Sequence, residues 1–184
     1  LSSDGSIVAI GAQLNSENGI VSGHVRIYKN VNNSWVQIGE DIDGEAEEDY
    51  SGRAISLSSD GETVAIGSTG NDGNGMRSGH VRIYKNVNNS WIQIGEDIDG
   101  EATLDHFGTS VSLSSDGSVV AIGAPNNVPN GSGSEHLPSG HVRIYKNVNN
   151  TWKQIGEDID GEVINGGLGT SVSLSSDGSV IAIG

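Results

Sequence analysis

Three kinds of side chain in this chain carry the means for chemistry, and each recurs at a fixed place. Carboxylates recur as Asp41-Ile42-Asp43-Gly44-Glu45, with matching sets at Asp97, Asp99, Glu101 and at Asp158, Asp160, Glu162. Paired hard oxygens at this spacing suit a divalent cation such as calcium, which takes about six to eight oxygen ligands. Asp41, Asp43, Asp97, Asp99, Asp158 and Asp160 are therefore the metal candidates, and calcium is the one cofactor they point to. The segment lacks the full loop of a calcium-binding hand, and Asp and Gly also serve a tight turn through backbone hydrogen bonds. His24, His80 and His141 recur two residues before Arg26, Arg82 and Arg143. The histidines lie one repeat apart with no second ligand type at metal spacing, so they read as hydrogen-bonding residues of the fold. The arginines either pair with the acidic loops or face solvent.

Asn32, Asn88 and Asn149 each head an Asn-x-Ser/Thr acceptor for N-glycosylation, and Asn130 heads a fourth. The first three are copies of one duplicated turn, and Asn-Asn is also plain turn chemistry. The Asn130 acceptor is separate. No nucleophile–base pair and no zinc spacing is present. The glycine-rich stretch from Asn71 to Gly75 lacks the lysine and helix that phosphate binding uses. The expectation is a chain without a cofactor that is not an enzyme.

The bulk numbers narrow the partners. Net charge is −15, which argues against nucleic acid or an anionic membrane, whose binding is driven by Lys and Arg. Sixteen of the 24 acidic residues fall in the three acidic loops, where they also keep a surface solvated. Cysteine is absent, so the fold needs no disulfide and redox chemistry does not reveal the compartment. No run reaches the roughly 18 apolar residues of a membrane span.

These residues are positioned by repeats. SGHVRIYKNVNN begins at Ser22, Ser78 and Ser139, and an outline LSSDGSxVAIG begins at Leu1, Leu57, Leu113 and Leu174. The spacing is 56, 56 and 61 residues, which marks a repeat architecture. Within one repeat, Ser110 to Ser114 alternates as a strand does, and Asp116-Gly117 is a tight hairpin turn. Val119 to Ile122 forms a second strand. A variable loop follows, then a third strand over His141–Lys146, an Asn149-Asn150 turn and a fourth strand over Trp152–Ile155. No segment carries helical periodicity. The predicted fold is all-β: four-stranded antiparallel meanders arranged as β-propeller blades. The first-strand serines would allow close approach of blades, and Trp35, Trp91 and Trp152 would fill the space between them. The repeats divide the chain at 1–49, 50–105, 106–167 and 168–184, with partial repeats at either end.

Phe107-Gly108 and Gly123-Ala124-Pro125 bracket one copy, and the chain here resembles the FG-GAP repeat. Other copies are degenerate: Tyr50-Ser51-Gly52 and Leu168-Gly169 stand in for the first motif, and Gly11-Ala12-Gln13 and Gly67-Ser68-Thr69 for the second. The resemblance implies the seven-bladed propeller of integrin α-subunits and of microbial and algal surface proteins, of which about three blades are present. The calcium loop of that family does not carry over, because it is cut to Ser115-Asp116-Gly117, with one carboxylate where calcium prefers about six to eight oxygens.

The expected function is an extracellular or cell-surface module for adhesion, protein–protein interaction or structural assembly of a fibre or coat. Its partner would be a protein, a glycan or further copies of itself. The alternative is carbohydrate or calcium binding through the acidic loops and the variable loops 13–21, 69–77 and 126–138.

Overall fold

A computed structural model describes residues 1–128 and 137–184, and the chain there is strand, turn and loop without an α-helix. The Asn130 acceptor lies outside the described residues. No helix among the described residues is long and apolar enough to cross a membrane.

The first sheet comprises β1 (Ile7–Ala12), β2 (His24–Val31), β3 (Ser34–Gln37) and the two-residue β4 (Ile42–Asp43). The second begins one strand earlier, with β5 (Ser51–Leu57), β6 (Thr63–Ser68), β7 (His80–Val87), β8 (Ser90–Gln93) and β9 (Ile98–Asp99). The third repeats it with β10 (Ser110–Leu113), β11 (Val119–Ala124), β12 (His141–Val148), β13 (Thr151–Gln154) and β14 (Ile159–Asp160). β15 (Val172–Leu174) and β16 (Ile181–Ile183) pair as a final hairpin. All pairings between these strands are antiparallel and join chain neighbours, apart from the short last strand of each sheet. That strand is an addition to the predicted four. After β3 the backbone leaves the sheet at Ile38–Asp41, then β4 returns to pair with the start of β2, His24 opposite Asp43.

Local chemistry explains both turns. The Asp-Gly hairpins are closed by a serine two residues upstream of the aspartate. Ser58 Oγ donates to Asp60 Oδ1 at 2.6 Å and accepts from the Thr63 N–H at 2.9 Å, while Gly61 adopts φ +74°. At the opposite hairpin, Asn88 and Asn89 have φ 53° and 62°, the two positive values a type I′ turn needs. Asn86 Oδ1 accepts the Asn89 N–H at 3.0 Å and pins it.

The sheets bury both faces against one another. Val64, Ala65 and Ile66 are consecutive and all at most 1% exposed. Val64 and Ile66 pack with Ile7, Val25, Ile27 and Ile42 of the first sheet. Ala65 packs with Leu113, Val120 and Ile122 of the third. Ile10 occupies the place equivalent to Ile66 but has no sheet against it and is 52% exposed. Full burial of such a side chain contributes about 1.5–3 kcal/mol, so a blade owes much of its stability to its neighbours. The tryptophans follow the same rule. Trp91 Nε1 donates to the Ile38 carbonyl at 2.9 Å and Trp152 Nε1 to that of Ile94 at 2.8 Å, each crossing to the preceding sheet. Trp35 is 49% exposed.

The innermost strands β5, β10 and β15 are stitched through serine. Ser56 Oγ accepts the Leu113 N–H and Ser112 Oγ accepts the Leu174 N–H, both at 2.9 Å. Closest approach occurs at glycines. A Cβ placed on Gly67 would overlap the Gly108 carbonyl oxygen, and one on Gly123 would overlap that of Gly169. Gly67 has no positive φ, so its requirement is space alone. Gly67→Ala is therefore expected to lower the unfolding free energy by about 1–3 kcal/mol, the cost of overpacking a close-packed contact. Urea unfolding checks this, and a change below a few tenths would show that the seam can open without loss.

Candidate functional site at the blade seams

The recurrent histidines, arginines and acids, separate in sequence, meet at the seams. In the second sheet His80 and Arg82 share one face of β7, and both are buried. Gln93 Nε2 donates to Asp97 Oδ1 at 2.6 Å and turns Asp97 Oδ2 towards His80 Nδ1, 3.4 Å away. The second carboxylate comes from the preceding repeat. Glu45 Oε1 lies 3.3 Å from Arg82 Nη1, and Glu45 Oε2 lies 3.9 Å from His80 Nδ1. Arg82 Nη2 also donates to the Asp43 carbonyl at 2.6 Å.

The third sheet repeats this with Glu101, His141 and Asp158. Arg143 Nη2 meets Glu101 Oε1 at 3.1 Å, and Arg143 Nη1 donates to the Tyr145 hydroxyl at 3.0 Å. The Arg143 guanidinium stands 5.2 Å from the Phe107 ring centre, within cation–π range. In the first sheet Glu17, from the β1–β2 loop, takes the part played across the seam by Glu45 and Glu101. Arg26 Nη2 reaches Asp41 Oδ2 at 2.7 Å and Glu17 Oε2 at 3.3 Å.

In each cluster one nitrogen of the imidazole and one oxygen of each carboxylate lie within 4.8 Å of one another, a Glu–His–Asp set able to converge on a metal ion. The histidines thus do have oxygen ligands beside them, contrary to the reading from spacing. Those partners come from the acidic loops, one of them across a seam that sequence distance hides. Asp41, Asp97 and Asp158 join the clusters, whereas Asp43, Asp99 and Asp160 do not. A cation is already present in each cluster, because Arg26, Arg82 and Arg143 meet Asp41, Glu45 and Glu101 respectively. The arginines pair with the acidic loops, which settles the choice left open above. The glutamine that aims each aspartate was not singled out in the sequence, although Gln37, Gln93 and Gln154 stand four residues before Asp41, Asp97 and Asp158 in every repeat.

The environment shifts several groups. The Arg26 guanidinium holds the Asp41 carboxyl below its usual range, aided by Gln37. Hydrogen bonding to His80 does the same for Asp97, against the opposing effect of burial. Burial pushes the His141 imidazole down, only partly offset by Asp158, Asp105 and Asp160. Burial pushes Asp99 up. The acceptors Asn32, Asn88 and Asn149 are exposed in their turns.

Against known proteins, residues 98–137 match the family described as FG-GAP repeat. No curated protein matches the chain. Solved structures similar to it include a protein described as selenium-binding from Sulfolobus tokodaii, with 11% identity, TM-score 0.49, and coverage of 90% of this chain and 42% of that one. A periplasmic gluconolactonase of Pseudomonas aeruginosa matches with 14% identity and TM-score 0.44, over 100% of this chain and 63% of that one. A protein assigned as a 6-phosphogluconolactonase from Bacteroides uniformis matches with 14% identity and TM-score 0.35, over 88% and 51%. The chain thus spans less than two thirds of the length of each. The expectation that the chain is not an enzyme is corrected by these neighbours, two of which carry the names of enzymes. Lack of a recognisable acid–base set in the sequence does not exclude enzymatic activity.

The His141 shift has a measurable sign. Its folded pKa lies below the unfolded value of about 6.5, so the unfolded chain binds the extra proton. The stability contributed by the neutral imidazole is full above that value and is lost as pH falls below it. His141→Gln stays neutral at every pH. The Tm advantage of the wild type over this variant should shrink between about pH 7.5 and pH 5.5, and a pH-independent gap would refute the assignment.

Proposed function

The chain is built of FG-GAP-like repeats, and from that premise we propose a propeller module that presents its variable and acidic loops as a recognition surface. It would act at the cell surface or outside the cell, in adhesion, protein–protein interaction or assembly of a fibre or coat. Its partner would be a protein, a glycan or further copies of the chain. The observation that carries this reading is where the repeats differ. The strand β2 reads HVRIYKNV and recurs unchanged in β7 and β12. Between the glycine that ends the preceding motif and the serine before Gly-His, the copies read AQLNSENGIV, STGNDGNGMR and APNNVPNGSGSEHLP. Loops at equivalent places emerge at the same end of each sheet, so variation is concentrated at that end. Loops on a rigid scaffold are where recognition is normally carried.

The acceptors Asn32, Asn88 and Asn149 support the extracellular part of the reading. They stand in hairpins at the opposite end of the strands, where a glycan would leave the variable loops uncovered. A second reading, carbohydrate binding, is favoured by clefts between sheets. One of about 500 Å³ joins Trp152 and Tyr145 with Asp97 and Asp99, and its counterpart of about 610 Å³ joins Trp91 and Tyr84 with Asp41 and Asp43. An aromatic ring beside carboxylates offers both an apolar face and hydrogen-bond acceptors to a sugar.

Two measurements test the proposal. Natively isolated protein should lose mass on enzymatic removal of N-glycans, with peptide mapping placing the loss at Asn32, Asn88 and Asn149. Unmodified asparagines would remove the support for the secretory route. Replacing residues 71–77 with the seven residues 15–21, which keeps Gly70 where a Cβ would overlap the Glu48 carbonyl oxygen, should abolish binding on protein and glycan arrays. Binding that survives replacement of each loop in turn would sink the recognition surface.

A further inference from the structure

The chain has nine Lys and Arg residues against 24 acids. Six of the nine belong to the invariant strand and recur as copies: Arg26, Lys29, Arg82, Lys85, Arg143 and Lys146. Only Arg53, Arg77 and Lys153 break the pattern. Arg53 and Arg77 line one cavity of about 300 Å³, together with His106, Tyr50, Thr69 and Gln13. The cavity lies at the end that carries the variable loops, where Gln13 follows β1, Arg53 and Arg77 belong to the second repeat, and His106 leads into β10.

Its cationic lining does not come from the repeat. Arg53 stands where the later copies have Thr109 and Thr170. Arg77 stands where the others have Val21 and Pro138, and His106 where the others have Tyr50 and Gly167. The backbone beneath, by contrast, is shared. Val21, Tyr50, Arg77 and His106 have φ 46°, 55°, 52° and 53°. The His106 N–H donates to the Arg77 carbonyl at 3.2 Å, as the Tyr50 N–H does to that of Val21. The Arg77 N–H donates to Asp72 Oδ1 at 2.7 Å. The turns are common to the blades and held by main-chain bonds, and one seam has filled them with cationic side chains.

Those side chains have unused capacity. A guanidinium carries five N–H donors. Arg53 Nη1 reaches only Gln13 Oε1, at 3.3 Å, and among the described residues no carboxylate lies within 4.0 Å of it. Arg77 Nη2 has a single oxygen, Glu48 Oε2, also at 3.3 Å, and remains exposed. Two planar forks beside an imidazole and two hydroxyls are the donor set that a planar or tetrahedral oxyanion accepts from. Burial first, then Arg77 and Arg53, press the His106 imidazole towards its neutral form. It can therefore donate one hydrogen bond to an anion, whose negative charge would relieve the pressure of the two arginines.

We propose that this pocket binds a small oxyanion, a carboxylate or phosphate group of a ligand, clamped between Arg53 and Arg77 with His106 as a further donor. The proposal rests on the pocket's own lining and does not require the surface reading above.

The test uses the 184-residue chain and the His106 ring signal in NMR. Inorganic phosphate and glucuronate are titrated separately. The expected result is a saturable shift with one or both, a raised His106 pKa in the bound form, and weakening by added salt. Saturation with phosphate alone assigns a phosphate ligand, and saturation with glucuronate alone assigns a carboxylate. Arg53→Thr and Arg77→Val install residues the chain already uses at equivalent positions, so both variants should fold with nearly unchanged Tm. Each should weaken binding by about tenfold or more, as loss of a charged hydrogen-bonding partner does. Lys153→Ile removes the third unpatterned cation, again to a residue of the equivalent position, Ile92, and should leave binding unchanged. No saturable shift with either anion would overturn the proposal. Equal weakening by Lys153→Ile would overturn it too, because binding would then follow net charge and not this pocket.

Discussion

The structure depends on one contact, the meeting of two glycine backbones across each seam. Gly52, Gly108 and Gly169 have φ near 85–91°, a conformation that costs other residues, and each turns its carbonyl towards Gly11, Gly67 or Gly123 of the preceding sheet. A side chain on either partner would hold the innermost strands apart. The two glycine motifs, about fifteen residues apart in sequence, are therefore complementary halves of adjacent seams: one blade presents the first half to the blade before it and the second half to the blade after it. Once the backbones touch, the serine bonds between innermost strands come within range, and Val64 and Ile66 can be buried against the preceding sheet.

Farther out along the seam the constraint changes from apolar to ionic. His80 and Arg82 are buried charged or chargeable groups, and such groups are costly unless paired. Glu45 of one sheet and Asp97 of the next approach them from both sides. A buried pair of this kind adds little net stability over an apolar contact, but losing one partner strands the other. The ionic clusters therefore act mainly on fit, since a blade docked out of register would leave an arginine and a histidine without acids. Glu17 shows that the requirement is local, because in the first sheet a loop residue supplies the same carboxylate from within.

Much of this was legible in the residues. Asp-Gly and Asn-Asn declare their turns because few other residues tolerate positive φ, and alternation over Ser110 to Ser114 declares a strand. What was hidden depends on neighbours. Trp35 and Trp91 have the same sequence surroundings, yet only Trp91 has the Ile38 carbonyl to bond. Nothing near His80 announces that Glu45, 35 residues back, completes its surroundings. The short strand Ile98–Asp99 is too brief to carry a period at all. Arg53 and Arg77 were visible as departures from the repeat, but their meeting at one cavity with His106 is a matter of three-dimensional placement.

The division between constant and variable segments follows from unequal costs. Lengthening a surface loop costs little, about 0.6 kcal/mol for each doubling, whereas overpacking a seam costs about 1–3 kcal/mol. The last full copy is five residues longer than the first two, and the extra length lies in the loop before His141. His141 itself keeps its register with Ala124 and Asp160, as His80 does with Ser68 and Asp99. A change of that size inside a strand would have reversed the facing of every residue beyond it. Physical cost alone thus directs change towards one end of the sheets, where the loops, the acids and the cavity lined by Arg53 and Arg77 lie together. Near-identity of the strands and divergence of the loops are two results of the same seam.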